Sequence, residues 1–322
     1  MTFRLRLSRP RRLALAFAAC LAAFATLPTA AQLPAPDALG SRLPSLRIEV
    51  RDAAGLRLAA TEGSGDSKTE LTFDRAYQPG DRILINGPQR IAAQLDAELP
   101  ECELYLTAQQ AFSFAVPLGR AATEDASAYA PSAFTGSSHR ITVRSISSLA
   151  GYRNLALNPC DQQLDPPSES PAAAQVFPHA TSNSAFKNWP GFRERNAIDG
   201  AAENGHHGVW PYQSWGPDQR AWGPDQRADL WWRVDFGRAV SVDKIRLMIR
   251  ADFPHDSYWQ SALVEFSDGS SLPVRILPTA DFQEFSFRAR SIAWIRLTRL
   301  VAADPGKWCS LVEFQAWGRD LP

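Results

Sequence analysis

Apolar and polar residues alternate with a period of two along much of this chain, and helical spacing is nearly absent. Between residues 46 and 147 the runs LRIEVRD, TELTFD, DRILING, RIAAQLDAEL, CELYLTA, FSFAVPL and HRITVRSI each carry partial alternation, as half-buried strands do. Pro79-Gly80-Asp81, Asn86-Gly87 and Pro100 punctuate them. Short strands with turn signals between them predict an antiparallel sandwich. SLAGYRNLAL admits a helical turn at the end of this region. The stretch DQQLDPPSESPAAA (161–174) has neither period and reads as a linker or surface wrap.

The pattern then resumes in a more regular form. In WWRVDFG, Trp232, Val234 and Phe236 share one face; in KIRLMIR, Ile245, Leu247 and Ile249 do. ALVEFSDGSSLPVRIL reads as a hairpin turning at Asp268-Gly269. FQEFSFRA, AWIRLTRL and SLVEFQAWG complete the series. The chain is therefore expected to be all-β, with two antiparallel β-sandwiches: an N-terminal one over 40–158, a linker over 159–175 and a second over 176–318.

Composition changes the picture at the N-terminus. Residues 1–12 carry five arginines and no acid, and LALAFAACLAAFATLPTAA then runs apolar to a small-residue site. This predicts a signal peptide over 1–31 and a secreted or periplasmic protein. Pro28 and the small residues interrupt the run, which argues against a retained membrane anchor. Phe17, three residues before Cys20, argues against lipid anchoring there. Of 34 basic and 34 acidic residues, removing the leader leaves 29 basic, a net of about −5. A mildly acidic chain without a basic cluster disfavours nucleic acid or an anionic membrane as main partner. Three cysteines follow the leader: Cys102, Cys160 and Cys309. One disulfide with one thiol left over is the plain reading for an exported chain, and Cys160 with Cys309 is the preferred pair.

The stretch from Asn196 to Arg227 departs from all of this. It holds Trp210, Tyr212, Trp215 and Trp222 among Gly, Pro, Asn and Asp, with almost no aliphatic residue. It reads as a long loop presenting aromatics. WGPDQRA occurs at 215–221 and again at 222–228, too short a period for a structural repeat. Either copy alone would reach the strand near Leu230. One copy, taken here as the second, is expected to be extruded at small entropic cost.

Four features in order, namely AIDG, WWRVDFG with VSVDKIRL, IAWIRLTRL and a closing SLVEFQAWG, make the C-terminal region resemble the discoidin or coagulation-factor type C domain. It is most similar to bacterial family 32 carbohydrate-binding modules. The resemblance covers about 140 residues and implies a jelly-roll sandwich with ligand loops at one end. It also implies a structural calcium ion held by Asp199, the Ala197 carbonyl and Glu313, with Asn204 as a further oxygen donor. One departure is Gly208, where the family usually has Thr or Ser. For a glycan, the expected aromatic faces are Trp210, Tyr212 and Trp215. The expected polar partners are His207 and the segment RADFPHDSYW, with Arg250, Asp252, His255, Asp256 and Trp259. Trp232, Trp294 and Trp317 are expected in the core.

No nucleophile motif, metal-protease motif or phosphate loop is present. Three classes stay open: a non-catalytic glycan-binding protein, a polysaccharide-active enzyme using Asp252, His255 and Asp256, and a cell-surface adhesion protein. Exposed aromatics with polar neighbours favour the first.

Overall fold

The computed structural model describes residues 45–321, except 64–67, 108–111, 123–131, 147–150, 163–175, 187–189, 203–221, 223, 225 and 252–256. The expected leader and most of the expected linker lie outside the described residues. Residues 42–322 form one compact unit.

The strands of the first half are β1 (Leu46–Arg51), β2 (Arg57–Gly63), β3 (Thr69–Phe73), β4 (Arg82–Asn86), β5 (Arg90–Gln94), β6 (Cys102–Leu106), β7 (Phe112–Ala115) and β8 (His139–Ser145). Next come β9 (Arg153–Asn154), β10 (Val176–Phe177), β11 (His179–Ser182), β12 (Trp232–Ile249), β13 (Trp259–Phe266), β14 (Ser271–Arg275), β15 (Gln283–Ala302) and β16 (Leu311–Asp320). The fold is all-β and antiparallel, as the alternation predicts. The short strand β2 has no clean alternation and escapes the sequence reading. Within SLAGYRNLAL, the described residues 151–157 contribute the short strand β9 and no helical turn.

In the first half, the sheet β2-β1-β4-β7 faces the sheet β10-β6-β5-β8-β3. Leu46, Ile48, Val50, Ile83 and Ile85 meet Ile91, Leu104, Ile141 and Val143 in the core between them. Period-two alternation sends one face inward, and β3 shows it cleanly: Thr69, Leu71 and Phe73 are buried while Glu70 and Thr72 are exposed.

The second half orders its strands β14-β13-β15-β12-β16-β9, with β11 added on β12. WWRVDFG and KIRLMIR turn out to be one 18-residue strand, and FQEFSFRA and AWIRLTRL one 20-residue strand. Register shifts between Asp235 and Val240 and between Val242 and Lys244 let the long strands bend around a single core. Gly237 lies in the first shift at φ 68°, and a Cβ there would meet the Phe177 ring at 2.4 Å. Only glycine satisfies both conditions. Trp232, Val234, Phe236, Ile245, Leu247 and Ile249 fill the core. The hairpin at Asp268-Gly269 forms as expected, with Gly269 at φ 82°.

The two halves exchange strands. β9 pairs with β16 of the second half, yet the later β10 pairs with β6 of the first, and β11 returns to β12. Beside this exchange lies Asp320, its side chain 2% exposed, bonded to Arg90 at 2.5 Å, Arg153 at 2.8 Å and Arg238 at 2.6 Å. Arg153 also reaches Glu103 on β6 at 2.7 Å. Burial alone would raise the Asp320 carboxyl, but the charges of Arg238 and Arg153 and their hydrogen bonds pull it below its ordinary value.

The expected Cys160–Cys309 pairing is not what the fold brings together. Cys160 lies in the first core, where its sulfur sits 3.8 Å from that of Cys102. Cys309 lies in the second core, 3.4 Å from the Ser257 hydroxyl. No S–S bond joins any of the three in this structure.

Candidate functional site

Trp222 corrects the reading of the tandem repeat. The second copy of WGPDQRA is no extrusion at its first residue: Trp222 is 0% exposed and stacks on Trp259 at 5.5 Å. Its indole N–H donates to the Ser184 carbonyl at 2.7 Å, and its backbone exchanges hydrogen bonds with Leu311 at 2.8 and 3.0 Å. A large apolar ring with its one polar atom satisfied belongs in a core. Trp259, expected among the sugar contacts of the RADFPHDSYW segment, has one face taken by this stack and is 3% exposed. Its remaining surface lines the floor of a cleft.

That cleft has a volume of about 560 Å³, within the range of small-molecule sites. Its walls come from residues 224–230 entering β12, from the end of β15 and from the loop before β16. The β15 wall is shaped by a bulge: Ser261 pairs with Val301 and Leu263 with Thr298, so two residues of β15 oppose one of β13. Arg299, at φ 49°, is one of those two. In the opposite loop the Asp304 carboxylate accepts from the Gly306 N–H at 2.9 Å, closing a tight turn. The Gln226 side-chain amide donates to the Gly306 carbonyl at 3.1 Å, tying the two loops across the cleft.

This turn delivers Trp308 to the rim, 47% exposed. Phe186 braces it edge-to-face at 4.8 Å and is itself braced by Phe192 at 5.5 Å. A ring held from its side, with open surface over a cleft, is built for stacking. Arg227, Arg299 and Lys307 supply N–H donors to the lining. Asp229 grips Arg227 with two bonds of 2.8 and 2.6 Å, which orients the guanidinium. Among the described residues no carboxylate lines the cleft.

A second feature lies in the same half. The AIDG turn and β16 bring Ala197, Asp199 and Glu313 together, all buried. The Gly200 N–H donates to Glu313 Oε2 at 3.3 Å, and the Ala201 N–H to Asp199 Oδ1 at 2.8 Å. Glu313 Oε1 is buried with no hydrogen-bond partner among the described residues. Burial, and then the Asp199 charge, push the Glu313 carboxyl well above its ordinary value. An unsatisfied buried carboxylate oxygen beside a second carboxylate fits a hard cation with oxygen preference. Among the described residues no three His, Cys, Asp or Glu side chains cluster as metal ligands.

Of the other expected site residues, His207, Trp210, Tyr212, Trp215 and Asn204 lie outside the described residues, as do Asp252, His255 and Asp256. Arg250 is buried, its backbone N–H bonded to the Ser310 carbonyl at 3.2 Å. Of the three strand tryptophans expected in the core, only Trp232 is fully buried. Trp294 and Trp317 are half-buried under cations, with Arg233 4.6 Å and Lys244 5.3 Å from their ring centres. Trp308, Arg299 and Lys307 were not singled out from the sequence. The Asp304-Pro305-Gly306 turn just before Trp308 was the available signal, because a turn forces its neighbours to the surface.

No protein-family model matches the chain. No curated protein matches it either. Solved structures similar to it are carbohydrate-binding modules and lectin domains. A chitosan-binding module from a Paenibacillus sp. IK-5 chitosanase/glucanase is 22% identical, over 52% of this chain and 99% of that one, with a TM-score of 0.34. The family 32 module of C. perfringens NanJ, solved with galactose, is 15% identical over 43% and 91%, at a TM-score of 0.32. A Streptococcus pneumoniae fucose-binding module is 16% identical over 52% and 96%, at 0.35.

Proposed function

We propose that this chain is a non-catalytic carbohydrate-binding protein, exported by its leader, which grips a glycan in the cleft beside Trp308. The observation that carries this reading is the braced, exposed indole of Trp308 on the rim of a cleft with arginine, lysine and glutamine side chains around it. Sugar rings present C–H faces that stack on aromatic planes, and their hydroxyls accept from N–H donors. Of the modules named above, one is chitosan-binding, one was solved with galactose and one is fucose-binding, and the cleft is of a size to take a short saccharide. Trp210, Tyr212 and Trp215 on the segment leading into Trp222 extend the same reading as further contacts.

The same proposal assigns a calcium ion to Asp199 and Glu313, with the Ala197 carbonyl and Asn204 completing the oxygen donors. When bound, the ion would neutralise two buried carboxylates and fix the turn against β16. It takes part in no reaction.

A glycan array probed with the chain tests the first claim. Retention of at least one saccharide class is expected, and a Trp308→Ala variant should lose it while keeping its thermal transition. Binding unchanged in that variant would move the site away from the cleft.

A further inference from the structure

We propose that Cys102 and Cys160 join as a disulfide that fastens the strand exchange to the first sandwich, leaving Cys309 as the single thiol after the leader. The two sulfurs already touch at 3.8 Å, and a disulfide requires about 2.05 Å.

Both partners are held in place by the fold. Cys102 opens β6, whose register with β5 sets Cys102 opposite Ala93. The Cys160 N–H donates to the Asn158 side chain at 3.0 Å. The same Asn158 amide donates to the Pro178 carbonyl at 2.7 Å, so the turn carrying Cys160 is pinned to the entry of β11. Both sulfurs lie in the first core. Cys309 lies in the other core, against Ser257, and among the described residues no second cysteine lies beside it.

The position gives the bond a purpose. The chain leaves the first sandwich to place β9 against β16, comes back through Cys160, places β10 against β6 and leaves again as β11. β9 and β10 are two residues each, too short to hold this path by backbone bonds alone. A bond across 58 positions restricts the unfolded chain most where loop closure is long.

The chemistry needs an oxidant, and a low-molecular-weight or protein disulfide is sufficient. One cysteine thiolate attacks that disulfide and releases its first thiol. The second cysteine then displaces the other, so two electrons and two protons leave Cys102 and Cys160 as two new thiols form. In the folded core the Cys160 thiol is held well above its ordinary value, by its hydrogen bond with Cys102 and then by burial. Exchange is therefore fastest while the segment is still being laid down.

The test uses the purified chain, reduced and then incubated with oxidised glutathione under mildly denaturing conditions. Free thiols are then blocked and the digest is mapped by mass spectrometry without reductant. Peptides bearing Cys102 and Cys160 are expected as one linked species that separates on reduction, with Cys309 alkylated. Three alkylated cysteines, glutathione adducts on Cys102 or Cys160, or a link through Cys309 would overturn the proposal. The linked protein should lose roughly 5–10 °C of melting temperature on reduction. A Cys102→Ala/Cys160→Ala variant should show no response to the same reductant. An equal response in that variant would assign the effect to something other than this bond.

Discussion

Trp222 and Trp308 are the same residue type in the same half of the molecule, on either side of Trp259 and its cleft, yet they do opposite things. Trp222 has both faces and its N–H consumed by the protein, while Trp308 has a braced edge and open surface. The difference lies in how much of each ring the fold has already used. A ring whose contacts are all internal contributes to stability, and one left uncovered over a concave surface is available to a ligand. The same contrast separates the buried Asp320, bonded to three arginines, from the cations lining the cleft.

The sharpest way to break this comparison is Trp222→Ala. It removes a fully buried ring and one of the two donors to the Ser184 carbonyl, which keeps the Ser182 hydroxyl at 3.0 Å, so a loss of about 3–5 kcal/mol is expected in denaturant unfolding. A loss under about 1 kcal/mol would mean that Trp222 is no more structural than Trp308.

Asp320→Asn tests the sealed charges. Three arginines lose their common anion, with an expected cost of about 2–3 kcal/mol. That is less than for a fully buried pair, because the arginines retain 17–21% exposure. The sign with pH follows from the depressed folded value. The stabilisation is complete above the ordinary carboxylate range near pH 4 and is lost as pH falls through the lower folded value. The melting-temperature gap between wild type and Asp320→Asn should be widest at neutral pH and close in acid. A gap that widens in acid contradicts the assignment.

For Asp199 and Glu313, adding a chelator should lower the melting temperature by about 5 °C, from the release of a saturating ligand. Glu313→Gln should show no chelator response, since it removes one of the two anions. Superimposable melts of the wild type with and without chelator would withdraw the ion.

The smallest stability effect belongs to Trp308→Ala, under about 1 kcal/mol because the ring is half exposed. Its binding effect should be the largest of the set, roughly ten-fold in affinity for the retained glycan. Affinity electrophoresis alongside thermal melts separates the two.

How far the sequence reached follows from the range of each interaction. Strands such as β3 and β16 were legible because alternation is a local property of five to ten residues. The continuity of β12 and β15 through their bends was not, since bulges depend on partners tens of residues away. The repeat is the clearest case: both copies of WGPDQRA read alike. Trp222 is held in the core by partners such as Ser184, Trp259 and Leu311, which lie far along the chain. The Asp199–Glu313 neighbourhood was read through the discoidin-like motif order, not through spacing, because 113 positions separate Gly200 from its acceptor. The choice among three cysteines was likewise a matter of distance in space. Trp308 is a solitary ring after a turn, whereas the sequence clusters its aromatics at 210–222, and clustering is the stronger local signal.

The exchange of β9 and β10 between the halves has a mechanical consequence. Under the proposed glycan-binding role, load taken up in the second half reaches the first through this exchange. Force entering at β1 and leaving at the cleft must peel β9 from β16 and β10 from β6, and must part Asp320 from Arg90. The load is shared among short strands and one ionic hub instead of resting on a single peptide tether. Such a joint should yield late and all at once, where a flexible linker would stretch at low force.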